Sequence, residues 1–287
     1  MEKYGFNTTG IDIADGSGDI TKLADIRNAM AGCHGVVHLA AVSRVAWAQQ
    51  NPKSCWKTNA VASKELLKLA VHSNLKPWVI VASSREVYGE PSQLPTVEDA
   101  PLQPINIYGR AKVSMEVSAL EAREHGLNTA IVRLSNVYGC PYDHVDRVIP
   151  AFCRNAARNL SLRVDGNKNL FDFTHISDVV AGLSKLVRLL ERGESKIPPI
   201  QFVTGQGTTL SDAAEMATNI AESSSAIIQA PSRNYDVHRF IGNPARAQQI
   251  LGWHPTVYLV EGMASLVSEY KRIFLIDPGN NLSSEMR

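Results

Sequence analysis

The sequence predicts an α/β fold built on a doubly wound parallel β-sheet, followed by a smaller C-terminal α/β lobe. Short apolar segments alternate with amphipathic helical segments through the first two thirds of the chain. The helical segments are long enough to cross over between parallel strands. After Gly139 the alternation loosens, which indicates the second lobe.

In chain order, NTTGIDIAD is predicted as a strand that ends in acidic residues, and ADIRNAMAG as a helix that ends at a glycine. The apolar segments GVVHLAA and PWVIVASS are predicted as strands. Between them, NAVASKELLKLAVHSN has apolar residues at helical spacing and predicts a helix. IYGRAKVSMEVSALEAREHG is predicted as a long helix, and NTAIVRLSNVYG as a further strand.

The second lobe is predicted from weaker signals. RVIPAFCRNAARN, SDVVAGLSKLVRLLERG and TLSDAAEMATNIAES are helical segments, and IQFVTG is a strand. Ser177 is a candidate N-cap, and Gly252 followed by Pro255 marks a helix end. We therefore expect one domain over residues 1–139, a lobe over 140–275 that partly returns to the sheet, and a frayed polar tail over 276–287.

Bulk composition excludes several classes of protein. The net charge of +1 argues against a nucleic-acid or membrane-surface partner, and no apolar run reaches the length of a membrane span. The four cysteines show neither zinc-site nor disulfide spacing, so we expect reduced thiols, no metal and a cytoplasmic location.

Tyr108 and Lys112 lie four residues apart in the long predicted helix and so share one face. A free phenol has a pKa near 10, about three units above neutral pH, and a neighbouring ammonium favours the phenolate. A tyrosine tuned in this way can exchange a proton with a sugar or alcohol hydroxyl. The same spacing is common by chance, so the interpretation depends on neighbouring motifs.

Four such motifs occur in order: SSREVYG, YGRAK, NVYG and LGWHP. Together they resemble the extended short-chain dehydrogenase/reductase family, and more narrowly its NAD-dependent sugar-nucleotide epimerases and dehydratases, such as UDP-glucose 4-epimerases. The resemblance runs from about Gly10 to Pro255. It implies a Rossmann-like sheet, NAD as cofactor, a nucleotide-diphosphate sugar as substrate, and a homodimer formed through the helices that contain KELLKLAVHSN and Tyr108.

The resemblance also implies a role for individual residues. Ser84 would align the substrate oxygen with Tyr108, the acid/base, while Lys112 would tune the phenol and hold the nicotinamide ribose. The implied cofactor-binding residues are Asp12, Asp19, Ile20, Leu39, Ala40, Ala41, Asn59, Tyr108 and Lys112, and the implied substrate-binding residues are Ser84, Glu86, Asn136, Arg147 and Arg233.

Asp12 raises a question about the start of the sheet. An acid that binds the adenosine ribose normally lies about 20 residues past a glycine-rich phosphate loop, and it disfavours NADP by repelling a 2′-phosphate. No such loop occurs, and only eleven residues precede Asp12. Either the first strand and its loop fall upstream of Met1, or the protein lacks them.

Two positions depart from the pattern of the family. Arg85 stands where 4,6-dehydratases carry the first of two acidic residues, and arginine is not a useful proton donor. Phe171 stands where an arginine would meet the diphosphate. We therefore predict an epimerase. A keto-sugar reductase or a dehydratase is the alternative, and a cofactor-poor scaffold protein is the alternative from another class.

Overall fold

The computed structural model describes residues 2–277. Its strands are β1 (Gly35–His38), β2 (Trp78–Ser84), β3 (Thr129–Leu134), β4 (Asn136–Tyr138), β5 (Leu162–Asp165), β6 (Leu170–Phe171), β7 (Phe173–His175), β8 (Ile200–Phe202), β9 (Thr208–Thr209), β10 (Ile227–Ala230) and β11 (Arg239–Phe240). Its helices are α1 (Leu23–Met30), α2 (Val45–Gln50), α3 (Pro52–Trp56), α4 (Ser63–His72), α5 (Ile107–Glu124), α6 (Val148–Ala157), α7 (Ile176–Glu191), α8 (Leu210–Ala221), α9 (Ala245–Leu251) and α10 (Leu259–Ile276).

The main sheet is parallel and has the order β1-β2-β3-β8, which confirms the predicted fold class. Helices cover both of its faces, so its central strands are apolar on both sides. Val79 and Val81 pack with α1, α4 and α5 on one face. Ile80 packs on the other face with α7 and α9, where Trp253 is fully buried.

Three small sheets lie apart from the main sheet, with the pairs β4–β7 and β5–β10 and the order β11-β6-β9. The core of the second lobe is shared by α6, α8 and α10 and is formed around Phe152, Leu162, Phe240 and Tyr270. None of the helices formed by residues 2–277 is both long enough and apolar enough to cross a membrane.

The predicted strand over residues 7–15 is wrong. Residues 7–12 form no strand, and Asp12 begins a turn in which its carboxylate accepts a hydrogen bond from Ala14 N at 2.9 Å. A parallel strand requires a neighbour for its N–H and C=O groups. Within residues 2–277, no backbone hydrogen bond joins 7–11 to another strand.

The predicted strand over 128–139 is in fact two strands in different sheets. β3 pairs with β2 and β8, whereas β4 pairs with β7. Ser135, between them, turns its hydroxyl to the Asp172 carbonyl at 2.5 Å. The chain therefore leaves the main sheet at this residue and continues into the small β4–β7 sheet.

The N-cap predicted at Ser177 is also wrong. Helix α7 is capped by His175, whose ring nitrogen accepts from Ser177 N at 3.3 Å. The helix end at Gly252 is confirmed, with Gly252 in the left-handed region at φ +56°. Most of the predicted polar tail lies outside the described residues.

Candidate active site

A cavity of about 570 Å³ lies at the carboxyl ends of the main-sheet strands, and Ser84, Tyr108 and Lys112 line it. This is the edge at which open parallel sheets bind ligands. Ser84 is the last residue of β2, and its hydroxyl caps the short turn Arg85–Val87 by accepting from Glu86 N at 3.2 Å. The end of the strand therefore fixes where this hydroxyl lies.

Helix α5 places Tyr108 and Lys112 opposite that strand end. Asn106 caps the helix by accepting from Gly109 N at 2.8 Å, so Tyr108 falls in its first turn. A Cβ at Gly109 would lie 2.5 Å from the Glu86 carbonyl oxygen, so only glycine allows so close an approach. One turn further on, Lys112 Nζ donates to the Ala82 carbonyl at 2.7 Å.

The expected lowering of the Tyr108 pKa is wrong. Burial raises the pKa of the phenol to about 12, although a hydrogen bond with Ser84 opposes the rise. The low dielectric around Tyr108 disfavours the phenolate. Lys112 Nζ lies 5.8 Å from the centroid of the Tyr108 ring and directs a hydrogen bond to the backbone. The phenol is therefore protonated at neutral pH.

Lys112 carries a pKa change that can be tested directly. Burial lowers the pKa of its ammonium to about 8. The positive charge is therefore present below that pH and is lost above it, so we expect kcat/KM to fall as pH rises through about 8. Lys112→Arg keeps a fixed charge, and its profile should lose this alkaline limb even if its rate is lower. An unchanged limb in the variant would assign it to another group.

Arg85 and Glu86 form a buried ion pair beside the catalytic candidates. Arg85 Nη2 lies 2.9 Å from Glu86 Oε1, and Asn106 Nδ2 donates to Glu86 Oε2 at 2.7 Å. Both carboxylate oxygens of Glu86 are thus engaged. The Arg85 guanidinium lies 4.5 Å from the ring centroid of Phe171, so the two positions that depart from the family pattern are in contact.

Three arginines converge at another part of the cavity wall. Arg147 and Arg233 were predicted from the sequence, but Arg44 was not. Burial lowers the pKa of Arg44, as do the charges of Arg147 and Arg233, whereas Asp146 raises it. Arg44 Nη1 is buried and has no hydrogen-bond partner. No feature of the sequence assigned Arg44 to the site, because only the fold brings it close to Arg147.

The remaining site candidates divide into two groups. Leu39, Ala41 and Asn136 line the cavity. Asn59 instead braces the loop after β1, accepting from Val42 N at 2.8 Å and donating to Val42 O at 3.0 Å. The expected adenosine contacts Asp12, Asp19 and Ile20 lie outside the cavity lining. Ala40 of the LAA segment also lies outside it.

A parallel sheet covered on both faces, with a serine, a tyrosine and a lysine at its carboxyl edge, defines a short-chain dehydrogenase-type protein. The chain belongs to the NAD dependent epimerase/dehydratase family, whose model matches residues 11–203. It is 30% identical over 259 residues to dTDP-glucose 4,6-dehydratase from Streptomyces griseus, covering 86% of this chain and 74% of that one.

Solved structures agree with this assignment. UDP-glucose 4-epimerase from Thermotoga maritima, solved with UDP-glucose, superposes with a TM-score of 0.81 and 29% identity, covering 90% of this chain and 84% of that one. The dTDP-glucose 4,6-dehydratase of Streptomyces venezuelae, solved with NAD, gives a TM-score of 0.82 and 25% identity, with 91% and 80% covered. Membership of this family therefore identifies NAD as the cofactor of the chain.

The residues around Lys112 fit the nicotinamide-ribose end of NAD. A lysine ammonium has three N–H donors. Lys112 is only 3% exposed, and the Ala82 carbonyl is the acceptor that the structure gives it. Lys112 lines the cavity, so its remaining N–H groups can donate hydrogen bonds to ribose hydroxyls. Leu39 and Ala41 provide an apolar wall beside it.

Proposed function

We propose that the chain is an NAD-dependent epimerase of a nucleotide-diphosphate sugar. This proposal rests on one observation: Ser84, Tyr108 and Lys112 line the same cavity. When bound, NAD accepts a hydride from the sugar carbon and returns it to the opposite face. The sugar passes through a ketone, and the configuration at one carbon is inverted.

The chain supplies the proton transfer. Tyr108 Oη takes the proton of the reacting hydroxyl during oxidation and returns it during reduction, while Ser84 Oγ aligns the two oxygens. The phenolate formed in the first step is favoured by the Ser84 hydrogen bond and the Arg147 charge, both of which lower the Tyr108 pKa against the larger effect of burial. Lys112 adds a positive charge one helical turn away.

The contacts of the Glu86 carboxylate favour epimerisation over dehydration. Loss of water from the keto-sugar requires a base for the adjacent carbon and an acid for the leaving hydroxyl. Glu86 is the carboxylate next to Ser84, but Arg85 and Asn106 occupy both of its oxygens. Arg85 itself is no proton donor at neutral pH. A simple keto-sugar reductase remains the second candidate, because it needs only Ser84, Tyr108 and Lys112.

The charge of the cavity supports a diphosphate substrate. Its lining holds six cationic side chains and four carboxylates, which leaves an excess of positive charge. Arg44, Arg147 and Arg233 share one region, and a guanidinium fork matches phosphate oxygens. We propose that these three arginines and Asn136 bind the nucleotide-diphosphate part.

Arg233→Gln should therefore weaken binding of the nucleotide sugar. A charge-assisted hydrogen bond contributes about 1.5–3 kcal/mol, so we expect Kd to rise about 10- to 100-fold. Calorimetry with UDP and dTDP would measure the change. Arg192→Gln, at the exposed end of α7, is the control and should bind like the wild type. If both variants bound UDP and dTDP with equal affinity, Arg233 would not be a substrate-binding residue.

The experiment that tests the function is a product assay. Purified protein, NAD and a panel of UDP- and dTDP-hexoses should yield the epimer of one sugar, detected by chromatography or NMR. A product lacking one water would identify a dehydratase instead. A chain that fails to bind NAD at millimolar concentration, by calorimetry, would be a scaffold protein.

We further propose that residues 140–275 form the substrate lobe, and that the protein works as a cytoplasmic homodimer. The dimer is supported by exposed apolar side chains at the two helices expected to pair. These are Val61, just before α4, and Val117 and Leu120 on α5. Light scattering of the purified chain would distinguish a dimer from a monomer.

A further inference from the structure

Arg85 is a buried cation with an unfilled hydrogen-bonding requirement. Its side chain is 10% exposed, and Nη1 is buried without a hydrogen-bond partner. Its described polar contact is the ion pair of Nη2 with Glu86 Oε1 at 2.9 Å. A guanidinium carries five N–H donors, and a buried charged donor without an acceptor is unfavourable.

The orientation of Arg85 is fixed on two sides. Glu86 holds one edge of the guanidinium, and the Phe171 ring lies 4.5 Å from it. Glu86 is in turn held by Asn106. The guanidinium is therefore preorganised rather than flexible, which is what a specific binding group requires.

The place of Arg85 relates it to the substrate. It directly follows Ser84 and lines the same cavity as Tyr108. Asn106 also donates to the carbonyl oxygen of Tyr235, two residues from Arg233, at 3.2 Å. Asn106 thus links Glu86 to the segment that carries Arg233, one of the arginines proposed to bind phosphate.

We propose that Arg85 binds an anionic oxygen of the substrate and so selects which nucleotide sugars are accepted. This inference rests on the proposed function. The planar edge of a guanidinium matches a carboxylate or a phosphate, and such charge-assisted bonds are stronger than bonds to neutral acceptors. The oxygen belongs either to a carboxylate on the sugar or to the diphosphate.

Calorimetry with three probes separates these two sources. UDP, UDP-glucose and UDP-glucuronate are titrated into wild-type protein and into Arg85→Met. A carboxylate contact raises Kd about 10- to 100-fold for UDP-glucuronate alone, whereas a diphosphate contact raises it similarly for all three. Arg110→Met, an exposed arginine on α5, is the control and should bind all three normally.

Several outcomes would overturn the inference. If Arg85→Met binds all three probes within about twofold of wild type, Arg85 is not a substrate contact, and the proposed epimerase function stands (twofold is under about 0.5 kcal/mol). If the wild type binds none of them, the proposed function fails as well. If thermal unfolding shows that Arg85→Met does not fold, Arg85→Lys replaces it. That variant retains the charge beside Glu86 but loses the planar fork, and it should still weaken the same probe.

Discussion

Tyr108→Phe should lower kcat by about 10²- to 10⁴-fold, the range in which positioned acid–base groups act, while substrate affinity changes little. The substitution removes only the hydroxyl oxygen. The Tyr108 ring is 8% exposed and packs with Ala48, Cys55, Ala60 and Ala111, contacts that phenylalanine can keep. A loss confined to kcat is the signature of a group that acts in the transition state.

The control for this experiment is Tyr142→Phe. Tyr142 is 56% exposed, and its side chain lies outside the cavity lining, so this change should leave turnover near the wild-type value. Steady-state kinetics and a calorimetric Kd for the nucleotide sugar would separate catalysis from binding. Near-normal turnover in Tyr108→Phe would remove the phenol from the mechanism and, with it, the proposed acid–base chemistry.

The main sheet could be predicted from the sequence, because each buried strand is marked by a continuous apolar segment. Val79–Val81 are completely buried, and so are Ala130 and Val132 in the next strand. The strand expected over 7–15 has no such continuous segment and no neighbour in the described structure. The local sequence pattern predicts the tendency of a segment to form a β-strand. A stable strand also requires a neighbouring strand to which its backbone can hydrogen-bond.

The catalytic candidates could be predicted for a similar reason. Ser84 and Tyr108 lie in the motifs SSREVYG and YGRAK, which can be read directly from the sequence. The structure brings both residues to one cavity wall. Arg44 lies in no such motif, and its relation to Arg147 depends on a fold that brings together residues far apart in sequence. The pKa of Tyr108 was expected to fall, because sequence spacing reveals the neighbouring cation but not the degree of burial.

A second strong effect is expected at the buried ion pair that anchors α5 to the sheet. Arg133 and Glu116 are 4% and 3% exposed. Arg133 Nη2 and Nε lie 2.7 and 2.9 Å from the two carboxylate oxygens, which makes the pair bidentate. Glu116 also accepts from Ser83 Oγ at 2.5 Å. Because Ser83 precedes Ser84 and Glu116 follows Lys112 by one turn, this pair fixes α5 against β2.

Arg133→Met should lower the free energy of unfolding by about 3–5 kcal/mol, since removing one partner leaves the other charge buried and uncompensated. Urea unfolding would measure this as a lower midpoint at an unchanged slope. The double variant Arg133→Met/Glu116→Met removes both charges and should recover part of the loss, because apolar replacement of a whole pair is often neutral. The recovery is partial because Ser83 Oγ and the Glu98 carbonyl lose their partners. A double variant as unstable as the single one would contradict the uncompensated-charge explanation.

An exposed ion pair in the same chain supplies the matched control. Arg163 lies 2.7 Å from Asp165, but its side chain is 73% exposed. Arg163→Met should change the free energy of unfolding by no more than about 1 kcal/mol, because exposed pairs are screened by water and salt. If the two single variants were equally destabilised, burial of Glu116 would not be the cause. If Arg133→Met alone is strongly destabilised, the loss comes from the Glu116 charge left buried on α5 without its partner.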